Sequence, residues 1–393
     1  MVTIVNKIIL RIRFYLSDFW IFFNCLKYIL INIFRRKKVD VLMLIHNDPL
    51  IEWKYSLIKE SLESDFCVLM IKQRELEDFP YFARIRYKRL KNLFIAINVR
   101  ASFKPKIILL FDESYYLNYW LKLFSGSKTL LIAHAVTSNY SFYHRIYAHY
   151  YLVYGVSSIV NLLNGKDNKT CKASIVFLGP IFCEISNYLP IHSDEIKGLT
   201  NNFNNYNKIL LITSSFTFDK TVQSSLEEKY VDIVNLIIHH PEILFLIKLH
   251  PLEKPEYFWS RFLVTSNHLL IENECTIKEL SNYAIFNITC FSNSAIDCAL
   301  FGLKTILFKP SQEQINYIDP ENYLPVAHSK AQLMEFVDDN VDVDLNRFLS
   351  QHSAFRDLRS LDRLLNFCHT IHKTGRIENV EMQLDYDNKK NVD

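Results

Sequence analysis

Residues 245–310 decide the fold. They open FLIKLHPLEKPEYF (245–258) and, after a spacer, run NITCFSNSAIDCALFGLKTILFKP (287–310). A wholly apolar run ends in Lys248-Leu249-His250-Pro251, and a second runs into Ser292-Asn293-Ser294. Small, helix-compatible residues follow, then Gly302 and the apolar TILF (305–308). Short uninterrupted apolar runs closed by Pro or Gly predict strands covered on both faces. The order is therefore strand, turn, helix, strand, with a histidine and two serines delivered at strand ends. In open parallel sheets the ligand crevice lies outside the carboxyl ends of the strands, so this stretch is the candidate site.

The same rhythm occurs twice in the 393 residues. In the first half the predicted strands are VDVLMLIH (39–46), FCVLMI (66–71), KIILLF (106–111), KTLLIAH (128–134), YYLVYG (150–155) and SIVFLG (174–179), with helical stretches such as 50–62 and 114–124 between them. Residues 180–207 are polar and turn-rich, as in a linker. In the second half KILLITSS (208–215) precedes a helix over 219–239, and HLLIE (268–272) and FNITC (286–290) flank a further helix. Strands alternating with helices imply βαβ units and parallel sheets. The tail from about 330 reads as helices over 331–337 and 344–370, followed by a polar end.

Composition removes several classes. Only 7 glycines are present, with no GxGxxG and no GxxxxGK[ST], so glycine-built dinucleotide and P-loop sites lack their signature. The 8 cysteines are scattered, without CxxC, and read as buried thiols of a reducing compartment. No His/Cys/Asp/Glu group has metal-ligand spacing. Asp342-Val343-Asp344 has DxD letters but precedes a helix, where N-capping accounts for it.

The charge is uneven. Residues 1–40 carry eight basic and two acidic side chains, which leaves the body slightly acidic. This points to an anionic surface at one end of the molecule and away from nucleic acid. The window 14–34 is long enough to cross a bilayer. However, roughly a dozen strong apolar residues at about −0.5 kcal/mol each are nearly cancelled by two charges at about +3 kcal/mol each. Wound as a helix, Phe22, Phe23, Leu26, Leu30, Ile33 and Phe34 fall on one half, and Asn24, Lys27, Asn32 and Arg35 on the other. That pattern suits a helix lying in a membrane surface with Arg35-Arg36-Lys37-Lys38 on anionic lipid. It also suits a helix packing its apolar half on the protein itself. No small-residue cleavage site follows. A second basic interval, between Phe79 and Phe111, has eight basic residues and no acid; it is either a solvated face or another anion-facing patch.

Three groups are chemically suggestive. Lys248 and His250 share a face by the period-two rule and suit a phosphate, the imidazole as donor and the ammonium as charge. A turn-capping histidine with a snorkelling lysine is the alternative. Ser292 and Ser294 precede a helix whose first turn presents unpaired N–H groups, which suits an anion but equally describes capping. Ser214, Ser215 and Thr217 line the same crevice. In the first half Asp112, Glu113 and His134 stand at strand ends, positioned either to deprotonate a hydroxyl or to cap the next helix.

Two Rossmann-like halves, a strand ending in Lys-x-His-Pro and a later Ser-x-Ser–helix–Gly–strand unit resemble bacterial GT-B glycosyltransferases of surface-polysaccharide synthesis. In pattern the chain is similar to the bacterial sialyltransferases and Kdo transferases and to the CDP-glycerol glycerophosphotransferases. The resemblance implies that His250, Ser292 and Ser294 hold the donor's nucleotide phosphate; Lys248, Pro251, Ser214 and Ser215 are expected in the same donor-binding wall from their places at the strand ends. It implies a base from Asp112, Glu113 or His134. Asp112-Glu113-Ser114 lacks the glycine that follows the sialyltransferase acid, and His134-Ala135 lacks the glycine of the glycerophosphotransferase pair.

The expected architecture is α/β, GT-B type, with two Rossmann-like domains facing a cleft and an N-terminal amphipathic helix. Expected boundaries are a membrane-associating helix over 1–38, an acceptor domain over 39–195 and a linker over 196–207. A nucleotide-donor domain over 208–330 and C-terminal helices with a polar tail over 331–393 complete them. The expected function is metal-independent transfer of a sugar, CMP-linked in the first instance, to a surface glycan or lipid-linked acceptor. No cofactor is expected beyond the nucleotide sugar as co-substrate. The expected location is cytoplasmic, peripheral on the inner face of the cytoplasmic membrane. Polyol-phosphate transfer from a CDP donor, a non-catalytic scaffold of a polysaccharide assembly complex and a UDP-sugar epimerase are the alternatives.

Overall fold

Every apolar run named above becomes a strand, and all pair in parallel. The computed structural model describes residues 20–21, 23–34, 36–45, 52–72, 75, 88–111, 115–124, 126–133, 146–164, 173–186, 203–214, 223–250, 265–271, 275–290, 292–308 and 323–377. The first sheet contains β1 (Val41–Ile45), β2 (Val68–Lys72), β3 (Ile107–Leu110), β4 (Lys128–Ile132), β5 (Tyr150–Val153) and β6 (Ser174–Phe177). Their order is β2-β1-β3-β4-β5-β6. The second contains β7 (Lys208–Thr213), β8 (Ile243–Lys248), β9 (His268–Ile271), β10 (Phe286–Thr289), β11 (Lys304–Phe308) and β12 (Val326–Ala327). Their order is β12-β11-β10-β7-β8-β9. Counted from β7 this is 3-2-1-4-5-6, the dinucleotide-binding strand order, whereas the first sheet begins 2-1-3-4-5.

The helices are α1 (residues 20–21 and 23–34), α2 (Glu52–Glu63), α3 (Lys88–Ser102), α4 (Tyr115–Phe124), α5 (Val156–Asn164), α6 (Ile181–Ser186) and α7 (Gln223–His239). After them come α8 (Ile277–Ser281), α9 (Ser294–Leu300), α10 (Lys330–Asp338), α11 (Leu345–His352) and α12 (Ser360–Thr374). Alternate side chains of β1 enter separate cores. Leu42 and Leu44 meet α1, α3 and α4; Val41, Met43 and Ile45 meet α2, α6 and α12. Two-sided burial explains why these strands carry no polar alternation. Gly302 stops α9 with a positive φ of 79°, while its N–H donates to Ala299 O and the Leu303 N–H to Cys298 O. This paired closure satisfies the last carbonyls of the helix and starts β11 two residues later.

The tail departs from expectation. The helix expected over 344–370 is two helices, α11 and α12, separated by residues 353–359, with Ser353 extended and Leu358 at φ 52°. α11 packs on α5 and α9, and α12 returns to the first domain against α2, α6 and β3. The break occurs where the chain passes between domains, so one straight helix could not bury both apolar faces. Asp344 N-caps α11, accepting from the Arg347 N–H at 3.0 Å, so the DxD letters mark a helix cap. The linker residues 196–202 lie outside the described residues; Phe203–Asn205 form one turn of 3-10 helix before β7.

α1 packs on α3, but not by its expected apolar half. Cys25 and Ile29 are buried, Ile21 and Tyr28 pack beside them, and the Asn32 side-chain amide donates to Asn98 Oδ1 at 2.9 Å. The Arg36 guanidinium then holds Ala101 O and Arg100 O, each at 3.2 Å. Among the described residues no helix is long and apolar enough to cross a membrane.

Candidate functional site

In the second sheet the chain order reverses between β7 and β10, and such a switch point opens a crevice at the strands' carboxyl ends. β7 ends there in Thr213 and Ser214. The Thr213 hydroxyl donates to Asn287 Oδ1 at 3.0 Å and lies 2.6 Å from the Ser294 hydroxyl. Since the single Thr213 proton goes to Asn287, Ser294 is the donor in the second bond. Thr289 Oγ1 donates to Thr213 O at 3.0 Å, and the Asn287 amide donates to Thr305 Oγ1 at 3.2 Å. A buried polar ladder thus ties the middle of the sheet to the first residue of α9.

Ser214 joins this crevice to the exit of β8. Its N–H donates to Lys248 O at 3.0 Å, and its hydroxyl accepts the His250 N–H at 2.9 Å. Lys248 and His250 are each half-buried around the buried Leu249. The alternation expected from sequence continues past the strand end.

The two serines play different parts. Ser292 is half-buried and its hydroxyl accepts the Ser294 N–H at 3.2 Å. Asn293, with no side-chain cap, occupies the N-cap, and Ser294 is the first helical residue. The expected capping by Ser294 is therefore performed by Ser292. With its proton committed to Thr213, Ser294 must release that bond before donating to any ligand. Structure thus brings together Ser214, Lys248, His250, Ser292 and Ser294. Ser215, Pro251, Asp112, Glu113 and His134 lie outside the described residues. The strands leading to the last three, β3 and β4, are neighbours at the centre of the first sheet.

A second constellation was not foreseen. Asp297, one turn into α9, accepts a hydrogen bond from the Cys183 thiol of α6 and faces Lys54 of α2. It is enclosed by protein yet keeps part of its surface open to solvent. Burial pushes its carboxyl up to about 6, and Lys54 and Cys183 pull the other way. Burial lowers the Lys54 ammonium, which sits 5.4 Å from the Trp53 ring centroid and 5.8 Å from that of Phe182. Burial, with Asp297 adding, raises the Cys183 thiol and the Tyr154 hydroxyl well above their usual ranges. Lys54, Tyr154 and Cys183 follow β1, β5 and β6, so they belong to the crevice side of the first sheet. Tyr154 also packs against Ala295, Ile296 and Ala299 of α9. The signal in sequence was one carboxylate in the apolar run SAIDCAL; its partners in the other domain had none.

Among the described residues no three His, Cys, Asp or Glu side chains group as a metal site. Six of the described cysteines are buried and Cys67 is exposed, all as free thiols.

No protein-family model matches the chain, and no curated protein is significantly similar to it in sequence. Solved structures are similar in fold. S. aureus MnaA, in a co-structure with UDP, is 14% identical with a TM-score of 0.58, over 85% of this chain and 96% of that one. The Methanocaldococcus jannaschii UDP-GlcNAc 2-epimerase, in complex with UDP-GlcNAc and UDP, is 15% identical with a TM-score of 0.55, over 84% and 99%. The wall teichoic acid polymerase TagF with CDPG is 10% identical with a TM-score of 0.52, over 91% and 98%. At such identities the likeness concerns architecture, and on that point it agrees with the sheets: the chain has the GT-B-type fold, two Rossmann-like α/β domains facing a cleft.

Proposed function

We propose that this chain is a glycosyltransferase that moves a sugar from a nucleotide-activated donor to a surface glycan or lipid-linked acceptor. The observation that carries the reading is the Ser214 junction, which ties Lys248 and His250 to the end of β7, with Ser292 following β10 on the other side of that strand, at the switch point of a dinucleotide-type sheet. The likeness to structures holding UDP, UDP-GlcNAc and CDPG supports a nucleotide-linked donor. In this reading the second domain grips the donor phosphates through Lys248, His250 and Ser292, with Ser214, Ser215, Ser294 and Pro251 shaping the wall.

The acceptor hydroxyl attacks the anomeric carbon and its proton passes to Asp112, Glu113 or His134. The carbon–oxygen bond to the phosphate breaks, and its electron pair leaves on the nucleotide. Lys248 and His250 meet that charge as it develops, so the proposed transfer uses no metal and no cofactor beyond the donor. A CMP-linked acidic sugar is the first donor to try.

Two other outcomes have specific support. The likeness to MnaA and the 2-epimerase favours isomerisation of a UDP-sugar, and the likeness to TagF favours polyol-phosphate transfer from a CDP donor. A donor screen followed by mass spectrometry separates them. Transfer appears only with acceptor present, an epimerase changes the donor alone, and polyol-phosphate transfer adds phosphorus to the product. A protein that binds no nucleotide by calorimetry would instead fit a scaffold. The His250→Ala protein should lose donor affinity and turnover at least tenfold; an unchanged rate with every donor overturns the reading.

A further inference from the structure

α1 is apolar on more than one side, and its packing uses the narrower one. The inward stripe is Ile21, Cys25, Tyr28, Ile29 and Asn32, spaced by threes and fours as one helix face requires. The broad apolar half recognised in the sequence is left outside. Phe34 is 90% exposed, Trp20 65%, Leu30 57% and Phe23 52%, and Ile31 and Ile33 are exposed beside them. No described residue covers this ridge. Single exposed apolar side chains are ordinary, but a contiguous row of this size on one helix marks an interaction surface.

Charge identifies the occupant. Residues 19–39 contain five basic side chains and no acid. Lys27 lies on the exposed side of the helix, and Arg36, Lys37 and Lys38 are exposed at its end. A second copy packing across a two-fold on this ridge would bury Lys27 in an apolar seam and bring no acid from residues 19–39 to Arg36, Lys37 or Lys38. An anionic bilayer complements them: the rings and branched chains enter the acyl boundary while the basic groups meet headgroups. The helix is pinned lengthwise to α3 by the Asn32–Asn98 and Arg36–Ala101 bonds, so it can only lie in the surface plane.

We propose that the outer face of α1 is a docking surface for an anionic lipid bilayer, holding the first domain flat against it. This holds whether or not the donor reading above is correct. The test is sedimentation of the full chain with vesicles of phosphatidylcholine, with and without phosphatidylglycerol. Binding to the anionic vesicles should exceed binding to neutral ones at least tenfold and should fall with salt. A Phe23→Ser, Leu30→Ser, Phe34→Ser protein should lose at least tenfold of it, with unchanged circular dichroism because those side chains are exposed. The Lys37→Glu, Lys38→Glu protein should lose the preference for anionic vesicles while keeping the fold. Equal sedimentation of wild-type and triple-serine proteins overturns the proposal. So does concentration-dependent dimerisation that the serines abolish while vesicle binding is absent.

Discussion

Gly155 lies directly against the backbone of His352: a Cβ built on it would stand 2.6 Å from the His352 carbonyl carbon and 2.8 Å from Ser353 N. The two residues belong to different halves of the chain, one at the end of β5 and the other at the end of α11. Their approach is backbone against backbone, so no rotamer change relieves it. Gly155→Ala should therefore destabilise the protein by about 3 kcal/mol, the upper part of the range for overpacking. Urea unfolding measures it, and a midpoint equal to wild type would show that α11 can shift without cost.

The same histidine makes the junction sensitive to acid. The His352 ring is fully buried, with Nδ1 2.9 Å from the Ser157 hydroxyl and Nε2 without a partner among the described residues. Burial lowers its pKa from 6.5 to about 3. A base held neutral in the fold binds fewer protons than in the unfolded chain, so stability is complete above pH 6.5 and falls as pH drops towards 3. Between neutral pH and pH 5 the loss is about 2 kcal/mol, at about 1.4 kcal/mol per unit. His149, lowered to about 4 mainly by burial, adds loss over the same interval. His352→Phe should shrink the difference between urea midpoints at the two pH values, leaving the net contribution of the other shifted groups, His149 among them.

Asp297 works in the opposite direction. A carboxyl raised from 3.8 to about 6 gives stability that is complete below pH 3.8 and is lost as pH rises through about 6. Asp297→Asn should thus stabilise the protein above pH 6, by about 1 kcal/mol once its partial exposure is allowed for. Lys54→Met should be harmful in the wild type, where it strands the Asp297 charge, and nearly neutral when combined with Asp297→Asn. A double-mutant cycle reads this coupling, expected to exceed about 0.5 kcal/mol. Strict additivity would separate the two groups.

Ser292 and Ser294 should divide stability from binding. Ser294→Ala breaks the bond to Thr213, whose hydroxyl keeps Asn287, and should cost about 1 kcal/mol of stability. Ser292→Ala removes a half-buried acceptor from one turn and should cost little stability but several-fold in nucleotide affinity. Denaturation and calorimetry on the two proteins measure both, and reversed effects would exchange the roles.

The strands were legible because two-sided burial writes them as uninterrupted apolar runs such as IILL (107–110) and ILFLI (243–247). The places of Lys248, His250 and the serine pair at strand ends were legible for the same reason, because they interrupt such runs. Three features were not. The direction in which α1 faces depends on which of two apolar stripes α3 accepts, and the helix alone ranks the wider one first. The break after His352 lies where the chain passes from one domain's packing to the other's, against Gly155, and depends on contacts between distant segments. The Lys54–Cys183–Asp297 group combines residues whose individual contexts are ordinary and whose charges become significant only when two domains enclose them.

Glu184 gives the C-terminal helix a further meaning. Its carboxylate accepts the N–H groups of Ser360 and Leu361, so a side chain of α6 closes the open start of α12. Through residues 353–359 the polypeptide returns to the first domain, and it is fastened where it lands. The carboxylate meets the positive end of the α12 dipole as well as its open N–H groups, so one side chain satisfies both the hydrogen-bonding and the electrostatic demand of that helix start. The last long helix among the described residues is thereby clasped by the domain laid down first in sequence.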